Sequence, residues 1–229
     1  MRILLLGHGR MGQLVESLAS SYDATVAGVI DENSGVNAIA DGKFGDVDVA
    51  IDFTLAEAVT RNLPQLAARK INVVIGTTGW QAHEESMRAI AGQAGIGVLA
   101  ASNFSLGMNI FQLAVEEASR NFAKHAEFGA WIHEAHHIMK KDAPSGTALT
   151  LKNGMAGAGF AQPIDMSSTR AGSIPGTHTV GFDGPSETIE FTHTVRDRAV
   201  FARGALVAAK WLVGKHGWFS IRDLLKAQS

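Results

Sequence analysis

Residues 134–147 read Glu134-Ala135-His136-His137-Ile138-Met139-Lys140-Lys141-Asp142-Ala143-Pro144-Ser145-Gly146-Thr147. A packed core has no use for so many polar groups side by side. A histidine titrates near neutral pH and can give or take a proton. A lysine beside it can steer an anion and stabilise developing negative charge. Ser145-Gly146-Thr147 follows Pro144 and opens a predicted helix, and helix-start amides and hydroxyls bind carboxylates. One short segment thus supplies an acid, a cation and an anion cradle. That equipment suits a site that moves protons and grips an anion.

The same stretch contains a competing pattern. His133-Glu134-x-x-His137 matches the two-histidine, one-glutamate zinc protease motif. That chemistry needs both histidines one turn apart on a helix and a third ligand further along. The approach, Phe128-Gly129-Ala130-Trp131-Ile132, has the character of a strand, and Pro144 limits any helix beyond it. Between His137 and Asp165 the sequence offers no histidine or glutamate, and Asp142 lies too near the turn. No metal is expected.

A source of hydride is written at the other end of the chain. Gly7-x-Gly9-x-x-Gly12 falls between a predicted strand and a predicted helix. The first glycine permits the tight turn, the second lets backbone approach a pyrophosphate, and the third lets helix and strand pack closely. Asp31 ends the second apolar run at about the 20-residue distance of the ribose-binding acid. Glu32 and Asn33 follow it, where an enzyme selective for a 2′-phosphate usually has an arginine. The expected cofactor is therefore NADH, with NADPH possible. Gly76-Thr77-Thr78-Gly79 closes the fourth predicted strand, where loops of a parallel sheet face the ligand. A plain glycine turn explains that loop equally well. A protein that only sensed NADH would keep the first motif and leave the 134–147 cluster idle.

The elements that must position these groups change character midway. Apolar runs at 3–6, 24–30, 47–53, 71–75 and 96–101 alternate with helical patterns at 11–18, 55–69 and 81–94. Such alternation predicts a parallel sheet in a Rossmann-like domain. Pro64 should kink the second helix or mark a break in it, and 32–46 should be a loop or single turn. A helix is expected at 108–122, a strand at 128–132 and a helix from 148 to 155. Strand-like stretches follow at 169–170, 177–182 and 188–194, then helices at 199–213 and 221–225. The fold class is α/β, an N-terminal Rossmann-like domain followed by an α+β half, joined near 102–106.

The bulk composition narrows the function classes. Of 229 residues, 46% are hydrophobic and 18% charged, and the formal net charge of -2 gives no field for nucleic acid or anionic membrane. The absence of cysteine excludes disulfides and thiolate metal sites and fits a reducing, cytoplasmic setting. The first residues lack the long apolar region of a signal peptide, and no stretch is long and apolar enough to span a bilayer. His83, His125 and His216 read as surface residues. Arg170 reads as a substrate-carboxylate contact or a structural ion pair. His178 and His193 read as groups behind the site or at an interface.

Gly7-x-Gly9-Arg10-Met11-Gly12, Gly76-Thr77-Thr78-Gly79, Ser102-Asn103-Phe104-Ser105-x-Gly107 and the 134–147 run occur in this order. Together with Arg170-Ala171-Gly172, Gly176-x-His178, Glu190-x-x-His193 and Phe201-Ala202-x-Gly204-Ala205, the chain resembles the bacterial 4-hydroxy-tetrahydrodipicolinate reductase (dihydrodipicolinate reductase) family over nearly its whole length. The resemblance implies an NAD(P)H-dependent reduction in lysine and diaminopimelate biosynthesis by a homotetramer acting on a small dicarboxylate. It implies a nucleotide domain of residues 1–105 and 206–229, and a substrate-binding and oligomerisation domain of 106–205. By motif match, His136 and Lys140 take the catalytic positions. His137, Ser145, Gly146 and Thr147 take substrate positions. Gly7, His8, Gly9, Arg10, Met11, Gly12, Asp31, Gly76, Thr77, Thr78, Ala101, Ser102, Asn103 and Phe104 match cofactor positions. The chain departs from the family in its short 32–46 segment and in lacking a basic residue after Asp31.

Overall fold

The computed structural model describes residues 1–227 and divides into two compact units, Met1–Leu106 with Ala199–Ser229, and Gly107–Arg198. The first unit opens with β1 (Arg2–Leu6), α1 (Arg10–Leu18), β2 (Thr25–Ile30), the single turn α2 (Ala38–Asp41) and β3 (Val49–Asp52). It continues through α3 (Ala56–Ala68), β4 (Asn72–Ile75), α4 (Glu84–Ala94) and β5 (Gly97–Ala100). These strands are buried on both faces, which is why they read as continuous apolar runs without alternation. Ile3, Leu5, Val49, Ile51, Val74 and Leu99 point into one core, and Leu4, Leu6, Ala50, Val73, Ile75 and Val98 into the other. α3 runs unbroken with Pro64 inside it, contrary to the expected break.

The second unit carries α5 (Leu106–Phe122), β6 (Gly129–His136), α6 (Gly146–Gly157), β7 (Ile164–Arg170), β8 (Thr177–Asp183) and β9 (Thr188–Thr194). The sheet order is β7-β6-β8-β9, with β6 and β7 parallel and the other pairs antiparallel. Two strands are longer than their sequence suggested: β6 reaches His136 and β7 begins at Ile164. On β6 the buried positions alternate as Ala130, Ile132, Glu134 and His136. The period of two persists while the chemistry switches from apolar to polar, which hid the strand's second half. The switch continues across the sheet, because Ser168, Glu134, His178 and His193 are register neighbours.

The chain then returns to the first unit through α7 (Ala199–Leu212), β10 (Gly217–Phe219) and α8 (Ile221–Lys226). All of α7 belongs to that unit, so the boundary falls at Ala199 and not within the helix. Gly204 lets α7 lie against the backbone at Phe104, since a Cβ there would sit 1.7 Å from the Phe104 carbonyl oxygen. β10 adds a sixth strand, parallel to β5, giving the order β10-β5-β4-β3-β1-β2. Three residues, one of them glycine, are too few for a periodic signal, and this strand escaped the sequence reading. Among the described residues no helix is long and apolar enough to cross a membrane.

Candidate active site

In the first unit the sheet order reverses at β1, whose neighbours are β2 and β3. Crevices at such a switch point receive ligands. Gly7 stands there with φ +86°, and a Cβ on it would meet the Phe53 carbonyl oxygen at 2.6 Å. Gly12 packs against the Gly7 carbonyl, where a Cβ would lie only 2.1 Å away. Gly9 caps α1 with no side-chain hydrogen bond, and nothing lies within 4 Å of where its Cβ would be. Uncapped amides beside open space fit a pyrophosphate. The His8 ring contacts Glu16 at 2.7 Å, while Arg10 and Met11 open the helix.

A cleft of about 480 Å³ runs from this loop past Asp31 and Glu32. Asp31 Oδ1 accepts from the Asn33 amide and the Ser34 hydroxyl, and the Ser34 bond, with the Asn33 amide, holds its carboxyl below the ordinary range. Arg61 of α3 lines the same cleft. No cation directly follows Asp31 in the sequence, and this distant one is placed by the crossover helix between β3 and β4. Val36 and Leu55 also line the cleft and are largely exposed.

Around the β3 and β4 ends, Gly76 is required because a Cβ would strike the Phe53 ring. Thr77 is buried, and its hydroxyl donates to Asp52 Oδ1 at 2.9 Å, while Thr78 is exposed. Asp52 also accepts from the Thr54 amide, the Thr54 hydroxyl and Asn62. Burial pushes the Asp52 carboxyl above its ordinary range against those four bonds. This acid was read only as the end of a strand; a carboxylate closing an apolar run next to threonine was its signal. Ala101 donates its amide to the Ile75 carbonyl, and Asn103 Oδ1 accepts from the Ser105 amide. Ser102 is exposed, whereas Phe104 is a core residue that leaves only its backbone for a ligand.

In the second unit, β6 brings His136 beside the start of α6 and the ends of β7 and β8. Glu134 is the centre of this cluster. Its Oε1 accepts from Arg170 at 2.7 Å, from the Ser168 hydroxyl at 2.7 Å and from the Ser145 amide at 3.2 Å. Its Oε2 is in ion-pair contact with His136 Nδ1. Despite burial, the Arg170 bond, the Ser168 bond and the His136 charge bring the Glu134 carboxyl down to about 2. His136 is pushed below its ordinary value by burial, against the opposing pull of Glu134. A Cβ on Gly176 would lie 3.2 Å from His136 Nε2, so the glycine keeps space beside that nitrogen.

The predicted anion cradle is divided. Ser145 is buried; its Oγ caps α6 by accepting from the Ala148 amide and also bonds His178 Nε2 at 3.2 Å. Gly146 is exposed, with nothing within 4 Å of where a Cβ would stand, and Thr147 is half-buried. His178 is pushed down to about 4, by burial first and by His136 next. Lys140 Nζ pairs with Asp142 at 2.9 Å. His137 is half-buried and its carbonyl accepts from the Lys140 amide. Arg170 additionally donates to the Asp142 carbonyl, tying β7 to the loop between β6 and α6.

The zinc reading fails on the backbone. His133 and Glu134 are on opposite faces of a strand, and His133 Nδ1 contacts the Ser167 hydroxyl. A different trio, Glu134, His136 and His178, offers ligand-type atoms within 4.8 Å of one another. Arg170 already balances Glu134 there, and a divalent cation would add charge to a carboxylate that has its cation. We read the trio as an acid-base cluster in which Glu134 and His136 are in ion-pair contact and Ser145 bonds both Glu134 and His178.

Two family profiles match almost the entire chain: "Dihydrodipicolinate reductase, N-terminus" over residues 1–104 and "Dihydrodipicolinate reductase, C-terminus" over residues 107–225. A 4-hydroxy-tetrahydrodipicolinate reductase of Christiangramia forsetii is 35% identical, with 98% of each chain covered. One from Xanthomonas campestris pv. campestris is 40% identical, over 98% of this chain and 97% of its own. Among solved structures, a dipicolinate-bound dihydrodipicolinate reductase from Paenisporosarcina sp. TG-14 shares the fold with a TM-score of 0.81 at 19% identity, covering 96% of this chain and 97% of its own.

Proposed function

The chain belongs to the dihydrodipicolinate reductase family, and we propose that it reduces 4-hydroxy-tetrahydrodipicolinate to tetrahydrodipicolinate with NADH in preference to NADPH. Loss of the hydroxyl together with a proton from the neighbouring ring carbon releases water and leaves a conjugated cyclic imine, whose reduction takes one hydride and one proton. Bound nicotinamide supplies the hydride. The chain's own residues do the rest. Gly7, Gly9 and the first turn of α1 hold the pyrophosphate, and Asp31 accepts from the adenosine ribose. Lys140 and the amides of Gly146 and Thr147 at the start of α6 hold substrate carboxylates, with His137 as a further contact. His136 gives its Nε2 proton to the carbon that becomes carbanion-like as hydride is added; the N–H bond breaks as the new C–H bond forms.

The observation that carries this reading is the placement of His136 beside the start of α6, tied to it through Glu134 and Ser145. The NADH preference rests on Asp31 and Glu32, two carboxylates where a 2′-phosphate would sit. Arg61 is the cation that opposes them. The homotetramer and the cytoplasmic location rest on the family resemblance and the lack of cysteine; light scattering after gel filtration should give four chains. The decisive assay is oxidation of NADH and of NADPH with freshly generated substrate, with pyridine-2,6-dicarboxylate as inhibitor. We expect kcat/KM to favour NADH and inhibition to be competitive with substrate. A tenfold preference for NADPH would overturn the cofactor assignment, and no turnover with either would overturn the reaction.

A further inference from the structure

We infer that Glu134 is the positioning residue of the reaction, fixing the ring and tautomer of His136 and binding it to the anion cradle in one unit. The inference rests on His136 being the proton donor. Glu134 is 1% exposed, on the rigid inner row of β6. One oxygen accepts hydrogen bonds from Arg170, Ser168 and the Ser145 amide, and the other is in ion-pair contact with His136 Nδ1. An ionised carboxylate only accepts. Nδ1 must therefore carry the proton in neutral His136, and Nε2 is left as the atom that exchanges a proton with substrate. The Gly176 side of the ring is kept clear for it.

The same carboxylate stabilises the imidazolium that has to form before His136 can donate. Every other charge facing that ring opposes it. Lys140 on the loop and Arg170 on β7 are cations; His178 on β8, backed by His193 on β9, adds none when neutral. Asp142 is engaged with Lys140. Among the described residues, Glu134 is thus the one anion in contact with the ring. Arg170 keeps the acid ionised and holds it in place, so the pair acts as an orienting arm behind the histidine, by the same logic that a carboxylate orients a catalytic imidazole elsewhere.

The test begins with the unaltered protein, labelled with ¹⁵N-histidine and observed by NMR without turnover. Neutral His136 should appear protonated at Nδ1, and the Nε2–H tautomer would overturn the inference. Glu134→Gln keeps an acceptor oxygen and removes the charge. Its kcat should fall roughly 10- to 100-fold, within the range of general acid-base contributions, while the substrate KM changes less than threefold. Its alkaline limb in kcat should move to lower pH, because only cations then face the ring. Glu134→Asp should recover part of the rate. A Glu134→Gln enzyme with wild-type kcat and an unmoved limb would also overturn it. If the wild-type protein turned over no substrate, the reaction assignment would fail instead, while the NMR result would still judge the tautomer.

Discussion

Asp52 in the first unit and Glu134 in the second are both buried carboxylates, 2% and 1% exposed, at or near the ends of strands. Their surroundings are opposite. Asp52 receives four neutral donors and no cation, and burial raises its carboxyl above the ordinary 3.8. Glu134 receives Arg170 and faces His136, and is lowered from 4.5 to about 2. Neutral donors organise loops, here the Thr54 and Thr77 turns that close the ends of β3 and β4. Charged partners suit the proton transfer proposed at His136. The contrast separates an acid that shapes the crevice of the first unit from an acid that, in the proposed reaction, serves the proton donor.

The strongest break in this comparison is chemical. His136→Ala should reduce kcat by roughly 10²–10⁴ and leave NADH affinity, measured by fluorescence titration, unchanged. Wild-type turnover in that variant would remove the second unit from the chemistry. Next comes Asp52→Asn, which turns one acceptor oxygen into a donor amide facing other donors. It should destabilise the protein by about 1–3 kcal/mol, the cost of unsatisfied buried polar groups, and raise the NADH Kd while kcat at saturating NADH is largely kept. Urea unfolding with cofactor titration checks both, and equal loss of kcat and NADH affinity would erase the distinction.

The pH dependence has opposite signs at the two acids. The contribution of Asp52 is fully present below 3.8 and is lost as pH rises through its raised folded value. The contribution of Glu134 is present above 4.5 and is lost as pH falls towards about 2. Wild-type stability relative to Asp52→Asn should therefore grow on mild acidification, and relative to Glu134→Gln it should shrink. Unfolding curves collected from pH 3 to pH 7 test the pair, and parallel trends would contradict the assigned environments.

How legible each region was follows from the same physics. The glycine fingerprint and the doubly buried strands were readable because they impose local rules: positive φ at Gly7, close packing at Gly12, unbroken apolar runs. The residues of 134–147 proposed as acid, cation and cradle could be picked out because they are contiguous. Glu134 was visible as the first residue of that run and as part of a metal motif but was given no role, since its neighbours Arg170, Ser168 and His178 lie 34 to 44 positions away and meet it through sheet pairing. Which distant cation would reach Asp31, and the donors that Asp52 gathers, were hidden for the same reason: both are set by crossovers between neighbouring strands. β10 was missed because three residues hold no period.

The smallest expected effect concerns Asp142. Its carboxylate sits on Lys140 at 2.9 Å and is lowered by that bond, with a lesser contribution from the Gly146 amide. It thus occupies the cation and touches the helix start that the proposed substrate carboxylate would use. Asp142 is more than half exposed, so the pair is worth about 0–1 kcal/mol, and substrate has little to displace. Asp142→Asn should accordingly lower the substrate KM by up to about fivefold, the ratio that 1 kcal/mol represents, with kcat close to wild type. A rise in KM would instead mean that Asp142 holds Lys140 in its working position. Either way the result reads how Lys140 is held, independently of the Glu134 arm that holds His136.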